Sequence, residues 1–405
     1  ACRTGKWVGL FFLDLDGFKS VNDTQGHDHG DLLLKEIAER LLKCVRKGDL
    51  VARLGGDEFT LFMEDVDRFE QFGAFAEKIL AAISEPIRLG QNYEATVTAS
   101  IGIATFPTCG NDSGTLIKNA DIAMYRAKQL GRNNYQFFTD EMQFDVVHRA
   151  SIENWLRQSI DQEQLSLLYQ PQINLHNGHL VGLEALIRWQ HPERGLLNPG
   201  EFIPIAEESG LINLVGEWVF RHACQQLRCW MNAGLIPPNM VIGINMSTRQ
   251  FRQPDLAERI FQILREENVP PCCIELEVTE SVMMDDVEHC IALLHKISQH
   301  GIRIAMDDFG TGYSSLRYLK LLPLKALKID QSFVRDALLS RNDAAIVQAT
   351  ITLAESIGVH TIAEGVENKA QVDFLRDHRC EIIQGYYVSR PLTSEKATQY
   401  LHARQ

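Results

Sequence analysis

From residue 165 onward the chain repeats one short pattern, an apolar run followed by a longer segment of helical periodicity. The apolar runs fall at 167–170, 180–187, 241–245, 274–278, 302–306, 326–329, 360–363 and 382–385. Eight strands over about 240 residues, most followed by a helix, are the arithmetic of a (β/α)8 barrel. The first two runs are separated only by "NLHNGH" (174–179). A parallel crossover needs about a dozen residues or more, so one barrel strand is expected to run antiparallel.

The chain before residue 140 has a different rhythm. A buried strand is expected over "WVGLFFL" (7–13), then a helix over 31–47 with Leu32, Leu33, Ile37, Leu41 and Leu42 on one stripe. A glycine hairpin at "LGGDE", a helix over 69–83, a strand over "ATVTASIGIATF" and a helix over 115–130 follow, which together read as an α+β domain. Residues 140–164 have helical character and few breakers, which suggests a helical connector. The expected organisation is therefore an α+β domain at 1–139, a connector at 140–164 and a barrel at 165–405.

Charge and composition narrow the function. A net charge of -13 over 405 residues argues against a binder of nucleic-acid polymers that tracks phosphates with a basic face. Nine cysteines with no CxxC pair fit neither a disulfide framework nor a zinc site, and reduced, mostly buried thiols are expected. No apolar run reaches the ~18–20 residues of a membrane helix, and no signal peptide is visible, so a cytoplasmic location without membrane contact is expected for this segment. The opening "ACRTGKWVGLFF" has no initiating Met and enters a strand almost at once. We expect a piece of something longer, such as the cytoplasmic part of a membrane-bound sensor.

The polar residues on the barrel strands carry the chemistry. "LEALIR" places Glu184 and Arg188 on one face; "VIGINMS" ends in Asn245, "IELEVTES" in Glu277 and "RIAMDDFG" in Asp307 and Asp308. "ALKID" carries Lys328 and Asp330, "TIAEGVE" Glu364 and "IIQGYY" Gln384. One acid at a strand end can simply mark the exit into water. Seven strands ending in amides, carboxylates or an ammonium converge on one mouth in a barrel. Such acids repel one another unless cations intervene, and oxygen donors without His or Cys indicate hard ions such as Mg²⁺ or Mn²⁺. Asp307 is placed to bridge two ions, an arrangement suited to phosphoester hydrolysis, with Lys328 acting on the attacking water and on developing charge. Gly310 and Gly312 in "DDFGTGYSSL" would allow a mobile loop over the mouth.

The motifs "YQP", "EALIRW", "NMS", "EVTES", "DDFGTGYSSL", "KID", "AEGVE" and "QGYYVSRP", in that order, resemble the EAL family of cyclic di-GMP phosphodiesterases. The resemblance runs from about residue 160 to the end. It implies that Glu184, Asn245 and Glu277 hold one metal and Asp308 and Glu364 another, with Asp307 bridging. It also implies that Glu280 anchors the "DDFGTG" loop and that Gln170, Arg188, Asp330 and Gln384 contact the dinucleotide.

"FFLDLDGFKSVNDTQGHDHGDLLL" and "RLGGDEF" resemble the GGDEF family, the diguanylate cyclases, here truncated at its N-terminal side. Asp14, Asp57 and the main-chain carbonyl of Leu15 would form a Mg²⁺ site for GTP, with Asp57 and Glu58 as the catalytic pair. The resemblance implies that Asn22 and Asp31 read guanine, that Lys19 balances phosphate charge, and that Lys128 and Arg132 hold the terminal phosphates. "RKGD" (Arg46 to Asp49) matches the family's RxxD product-inhibition site. Turnover of cyclic di-GMP in both directions is the leading expectation, with a homodimer for the cyclase step. A first domain that only senses GTP, and a silent cyclic di-GMP receptor, remain as alternatives.

Overall fold

The structure, a computed structural model, describes residues 6–89, 93–237, 240–283, 286–311 and 316–404. The chain divides into two compact units, 1–150 and 151–405.

The first unit contains β1 (Trp7–Asp16), β2 (Leu50–Gly55), β3 (Glu58–Val66), β4 (Ile87–Leu89), β5 (Tyr93–Ala95), β6 (Thr98–Phe106) and β7 (Asn134–Phe137). Five of them form a sheet in the order β2-β3-β1-β6-β7, while β4 and β5 pair separately. β1 is central and antiparallel to both β3 and β6. Its alternation fills both faces: Phe11, Leu13 and Leu15 pack with Leu33, Ile37, Leu41 and Phe72, and Phe12 packs with Leu116, Ala120 and Ala123. The strand expected to stop at residue 13 continues to Asp16, because β6 pairs with it as far as Asp16↔Thr98.

The helix expected over 31–47 runs His27–Cys44, and Leu32 and Leu42 are exposed. Its core row is Leu33, Ile37 and Leu41. At roughly 100° of rotation per residue, Leu32 and Leu42 turn away to either side of that row. The "LGGDE" hairpin forms as expected, with its turn at Gly56 and Asp57 between β2 and β3.

The second unit begins inside the helix Asp140–Asp161, whose Ile152 and Leu156 are buried in the core around the barrel. Its strands are β8 (Leu165–Asn174), β9 (Leu180–His191), β10 (Gly195–Leu197), β11 (Val241–Met246), β12 (Ile274–Thr279), β13 (Arg303–Phe309), β14 (Ala326–Ile329), β15 (His360–Ala363) and β16 (Ile382–Gln384). The order β9-β11-β12-β13-β14-β15-β16 is parallel throughout, and β8 closes the barrel antiparallel to both β9 and β16. The short connection thus joins the one reversed strand to the next. β10 hangs outside as a hairpin on β9.

None of the eight described cysteines is in a disulfide; Cys44, Cys224, Cys290 and Cys380 are buried, whereas Cys229 and Cys272 are exposed. Among the described residues no helix is long and apolar enough to cross a membrane.

Phe11 is fully buried, with its ring edge-on to Phe75 at 5.1 Å. Phe11→Ala is expected to lower the stability of the first unit by about 3–5 kcal/mol. Denaturant unfolding should show this as an earlier first-unit transition, with the barrel's transition unmoved.

Candidate active site

Strand register sets the site. Gln170 on β8 lies opposite Glu184 on β9, and Asn245 on β11 lies beside Glu277 on β12. Asp307 follows on β13, Lys328 on β14, Glu364 just after β15 and Gln384 at the end of β16. Glu184, Glu277, Asp307, Lys328, Gln170 and Gln384 are all buried, and Asn245 is exposed at the rim. A Cβ at Gly243, on the strand next to Glu277, would fall 2.1 Å from Glu277 Oε1. Glycine there leaves space for the carboxylate.

Asp307 and Asp308 are consecutive, and on a regular strand they would point to opposite faces. Asp308 instead takes φ 52°, in the left-handed region, where the register between β13 and β14 also shifts. Aspartate tolerates this conformation better than most residues. The kink brings carboxylate oxygens of Asp307, Asp308 and Glu364 within 4.8 Å of one another. Nothing in the residue spacing announces it.

Lys328 sits at the centre of the acids. Its Nζ is 2.6 Å from Glu364, 3.1 Å from Asp307 and 3.7 Å from Glu184, and it also pairs with Glu277. Burial works against its charge, but the four carboxylates outweigh burial and hold the ammonium protonated well above the ordinary lysine range. Burial also pushes Glu184 up, yet Lys328 and the bonds from Gln384 and Asn245 prevail and keep it low. Burial, reinforced by Glu184 and Asp307, carries Glu277 well up against the pull of Lys328. Asp308 rises to about 6 through burial, Asp307 and Asp330. Glu364 rises to about 8, through burial first and then Asp307 and Glu184, with Lys328 opposing.

One ammonium among so many acids leaves unmet negative charge. The buried Glu277 Oε1 has no hydrogen-bond partner among the described residues. The carboxylates of Glu184, Glu277, Asp307, Asp308 and Glu364 and the amide of Asn245 offer oxygen ligands, so these residues fit hard divalent cations.

The remaining barrel candidates divide. Gln384 donates to Gln170 Oε1 at 3.0 Å and to Glu184, and receives a bond from Gln172 at 2.8 Å. Asn245 donates to Glu184 at 2.6 Å. Glu280 accepts from the Gly310 N–H at 2.9 Å, which ties down the start of the "DDFGTG" loop. Gly312 and Tyr313–Ser315 of that loop lie outside the described residues. Asp330 caps the helix Gln331–Asp336 by accepting from Ser332 N at 2.9 Å. Arg188 is half-buried and donates to the Ile187 carbonyl at 2.7 Å.

In the first unit Asp14 and Glu58 are register partners on β1 and β3, and Leu15 N–H donates to the Asp57 carbonyl at 3.3 Å. Lys128 reaches Asp14 at 2.7 Å. Burial raises Asp14, with Lys128 opposing and Asp57 and Asp16 adding; burial, Asp121, Asp14 and Asp57 raise Glu58. Arg53 clamps the turn by donating to the Gly56 carbonyl at 2.8 and 3.0 Å. Asn22 Oδ1 is buried against Gly30, next to Asp31, and has no partner among the described residues; Lys19 and Asp31 are exposed.

Arg46 pairs with Asp49 at 3.4 Å and donates to the Glu64 carbonyl, so the RxxD arginine is engaged within its own unit. Sequence reasoning missed Asp16. Its carboxylate accepts from Thr98 and Ser100 at 2.8 Å each and from Asn133 N at 3.2 Å, and lies 3.9 Å from Arg132. The second aspartate of "DLD" was its only signal.

A barrel with one reversed strand and an oxygen-rich acidic mouth, behind an α+β unit with a GGDE hairpin, defines a class. Residues 153–391 match the family described as EAL domain, and residues 1–134 match diguanylate cyclase, GGDEF domain. The chain belongs to the EAL family and carries a GGDEF domain ahead of the barrel.

Among its relatives is the bifunctional diguanylate cyclase/cyclic di-GMP phosphodiesterase MucR of Pseudomonas aeruginosa, 43% identical over 98% of this chain and 57% of that protein. The cyclic di-GMP phosphodiesterase NbdA of the same organism is 40% identical over 99% of this chain and 51% of its own length. The chain thus spans about half the length of the curated relatives it matches. A solved structure described as the PaMucR phosphodiesterase, c-di-GMP complex, is similar with a TM-score of 0.59 and 41% identity over 61% of this chain and 99% of that one. The EAL enzyme Bd1971, bound to cAMP and cyclic di-GMP, gives 0.62 at 26% identity over 87% and 92%.

Two outcomes are expected. Asp308 and Glu364 bind protons more tightly folded than unfolded, so without a cation their contribution to stability falls as pH rises through about 6 and about 8. A divalent cation must displace those protons, so Mn²⁺ affinity should strengthen as pH rises from about 5.5 to 8.5. Calorimetry in buffers of different ionisation enthalpy would show the proton release. Gly243→Ala should displace the Glu277 carboxylate and weaken Mn²⁺ binding by about 10-fold or more, read by the same titration.

Proposed function

We propose that the second unit hydrolyses cyclic di-GMP to linear pGpG and that the first unit condenses two GTP to cyclic di-GMP. The observation that carries the first part is the convergence of Glu184, Asn245, Glu277, Asp307, Asp308 and Glu364 around Lys328 at one barrel mouth. Those six side chains would hold Mg²⁺ or Mn²⁺. When bound, the cations supply charge stabilisation at the phosphate and a water acidic enough to attack it.

The chain's own residues do the rest. Lys328 keeps its proton, so it donates hydrogen bonds and offsets charge on the phosphate as the P–O bond to the ribose 3′ oxygen breaks. The buried walls exclude bulk water, which strengthens each of these interactions. Glu280 holds Gly310 and with it the segment that follows Asp308. Arg188, half-buried, with Tyr386 beside it, supports its reading as a contact to the dinucleotide.

For the first unit, Asp14, Asp57 and Glu58 support a Mg²⁺–GTP site, with Lys128 reaching over the acids toward where phosphates would lie. Each unit binds one GTP, so condensation requires two copies face to face.

Glu184→Ala is expected to lower cyclic di-GMP hydrolysis by more than about 100-fold, beyond the usual cost of losing a supporting residue of a metal site. Ca²⁺ in place of Mg²⁺ should inhibit, since it prefers longer bonds and more ligands. Chromatography of cyclic di-GMP and pGpG checks both; near-parental turnover by Glu184→Ala would refute the assignment. With GTP as substrate, specific activity should rise with protein concentration. A flat dependence in a confirmed monomer would exclude the paired mechanism, and GTP binding without product would leave the first unit as a sensor.

A further inference from the structure

Gln172, on β8, is buried to 2% exposure. We infer that Gln172 is a positioning residue: its amide fixes which way the Gln384 amide faces, and thereby holds Glu184 in the orientation that receives a divalent cation. The inference rests on the phosphodiesterase reading of the barrel.

The polarity of the chain of amides follows from chemistry at its end. Glu184 as a carboxylate can only accept, so the Gln384 atom facing it must be the NH₂ group. The second N–H of that group goes to Gln170 Oε1 at 3.0 Å. Gln170, with its oxygen engaged, donates to the Ser389 carbonyl at 3.2 Å. Both protons of Gln384 are therefore committed, and its oxygen faces the other way, where Gln172 Nε2 donates at 2.8 Å. Gln170, Gln172, Gln384 and Glu184 are all at most 8% exposed, so water does not readily replace a missing partner.

Backbone register builds this arrangement. Gln172 is the partner of Gln384 on β16 and of Gly182 on β9. A Cβ at Gly182 would lie 2.6 Å from Gln172 Oε1, so the missing side chain provides the slot for the amide. A flipped Gln384 would turn its carbonyl oxygen toward Glu184 and Gln170 Oε1, placing acceptor against acceptor twice.

The test uses the full chain and the variants Gln172→Glu and Gln172→Met, each alone and in a Gln384→Ala background. Ionised glutamate at 172 offers only acceptors and so favours the reversed Gln384 amide, whereas a protonated one still donates, so the titrations are run at pH 7 and pH 9; methionine removes the donor at either pH without imposing a reversal. Gln172→Glu is expected to weaken Mn²⁺ binding by calorimetry about 10-fold or more and to lower kcat similarly. KM should move less than about threefold, because substrate contacts outside this network remain. Gln172→Met should show a smaller loss in the same direction.

In the Gln384→Ala background neither substitution should matter further, because the amide they act through is gone. Parental Mn²⁺ affinity in Gln172→Met and in Gln172→Glu at pH 9, or equal losses in both backgrounds, would overturn the inference. If Gln172→Glu does not fold, Gln172→Met in the same cycle decides by the same criterion. A parent that binds Mn²⁺ and obeys the cycle but leaves cyclic di-GMP intact would refute the phosphodiesterase reading and support the positioning role. A parent that takes up no Mn²⁺ would overturn the inference.

Discussion

One buried ammonium allows four carboxylates to share the floor of the barrel mouth. Without Lys328, Glu184, Glu277, Asp307 and Glu364 would have to take up protons or separate, because unpaired charge is costly in a buried site. With it, the cluster is only partly neutralised. The residual negative charge is displayed as the raised proton affinity of Asp308 and Glu364 and as an unpartnered oxygen on Glu277. The site is thus assembled by one internal cation and left wanting others. The first unit uses a smaller version of this solution, with Lys128 reaching Asp14 beside Asp57 and Glu58.

Around this centre the barrel works as a positioning frame. Parallel neighbours bring successive strand ends to one level, so Asn245, Glu277, Asp307 and Lys328 meet although more than eighty residues separate the first from the last. Close approach also depends on what is absent: the bare Cα positions of Gly243 and Gly182 admit a carboxylate and an amide that a methyl group would displace.

Much of this was legible in the sequence, for reasons specific to certain residues. All eight barrel strands were visible because both faces of such strands are buried and they read as apolar runs. The polar residues on seven of these runs marked the mouth. The short "NLHNGH" link dictated the reversed strand. What could not be read was conformation and partnership. Asp307 and Asp308 were legible as acids, but the left-handed turn that brings both carboxylates to one side was not, since it depends on the shift against β14. Gln384 stood out as a polar residue on a strand and Gln170 through its place in the "YQP" motif, whereas Gln172 looked like the flank of that motif until register placed it against Gln384. Asp16 was hidden because the strand seemed to end before it, and its donors lie more than eighty residues later. Leu32 and Leu42 were misplaced because leucines crowd both sides of the helix and only packing selects the row that faces the core.

The reversal of β8 has an evolutionary consequence for the rim. In a regular barrel every sector of the mouth is followed by a loop that can lengthen or change sequence without disturbing a strand. Because β8 runs the other way, its beginning, at Leu165 opposite Trp189, faces the mouth, and its end turns away. This sector has no trailing loop to diversify. Gln170 projects from the middle of a strand hydrogen-bonded on both sides, so variation there is confined to single side-chain exchanges. Adaptation to a different ligand would concentrate in the other seven sectors, leaving this one as a fixed wall.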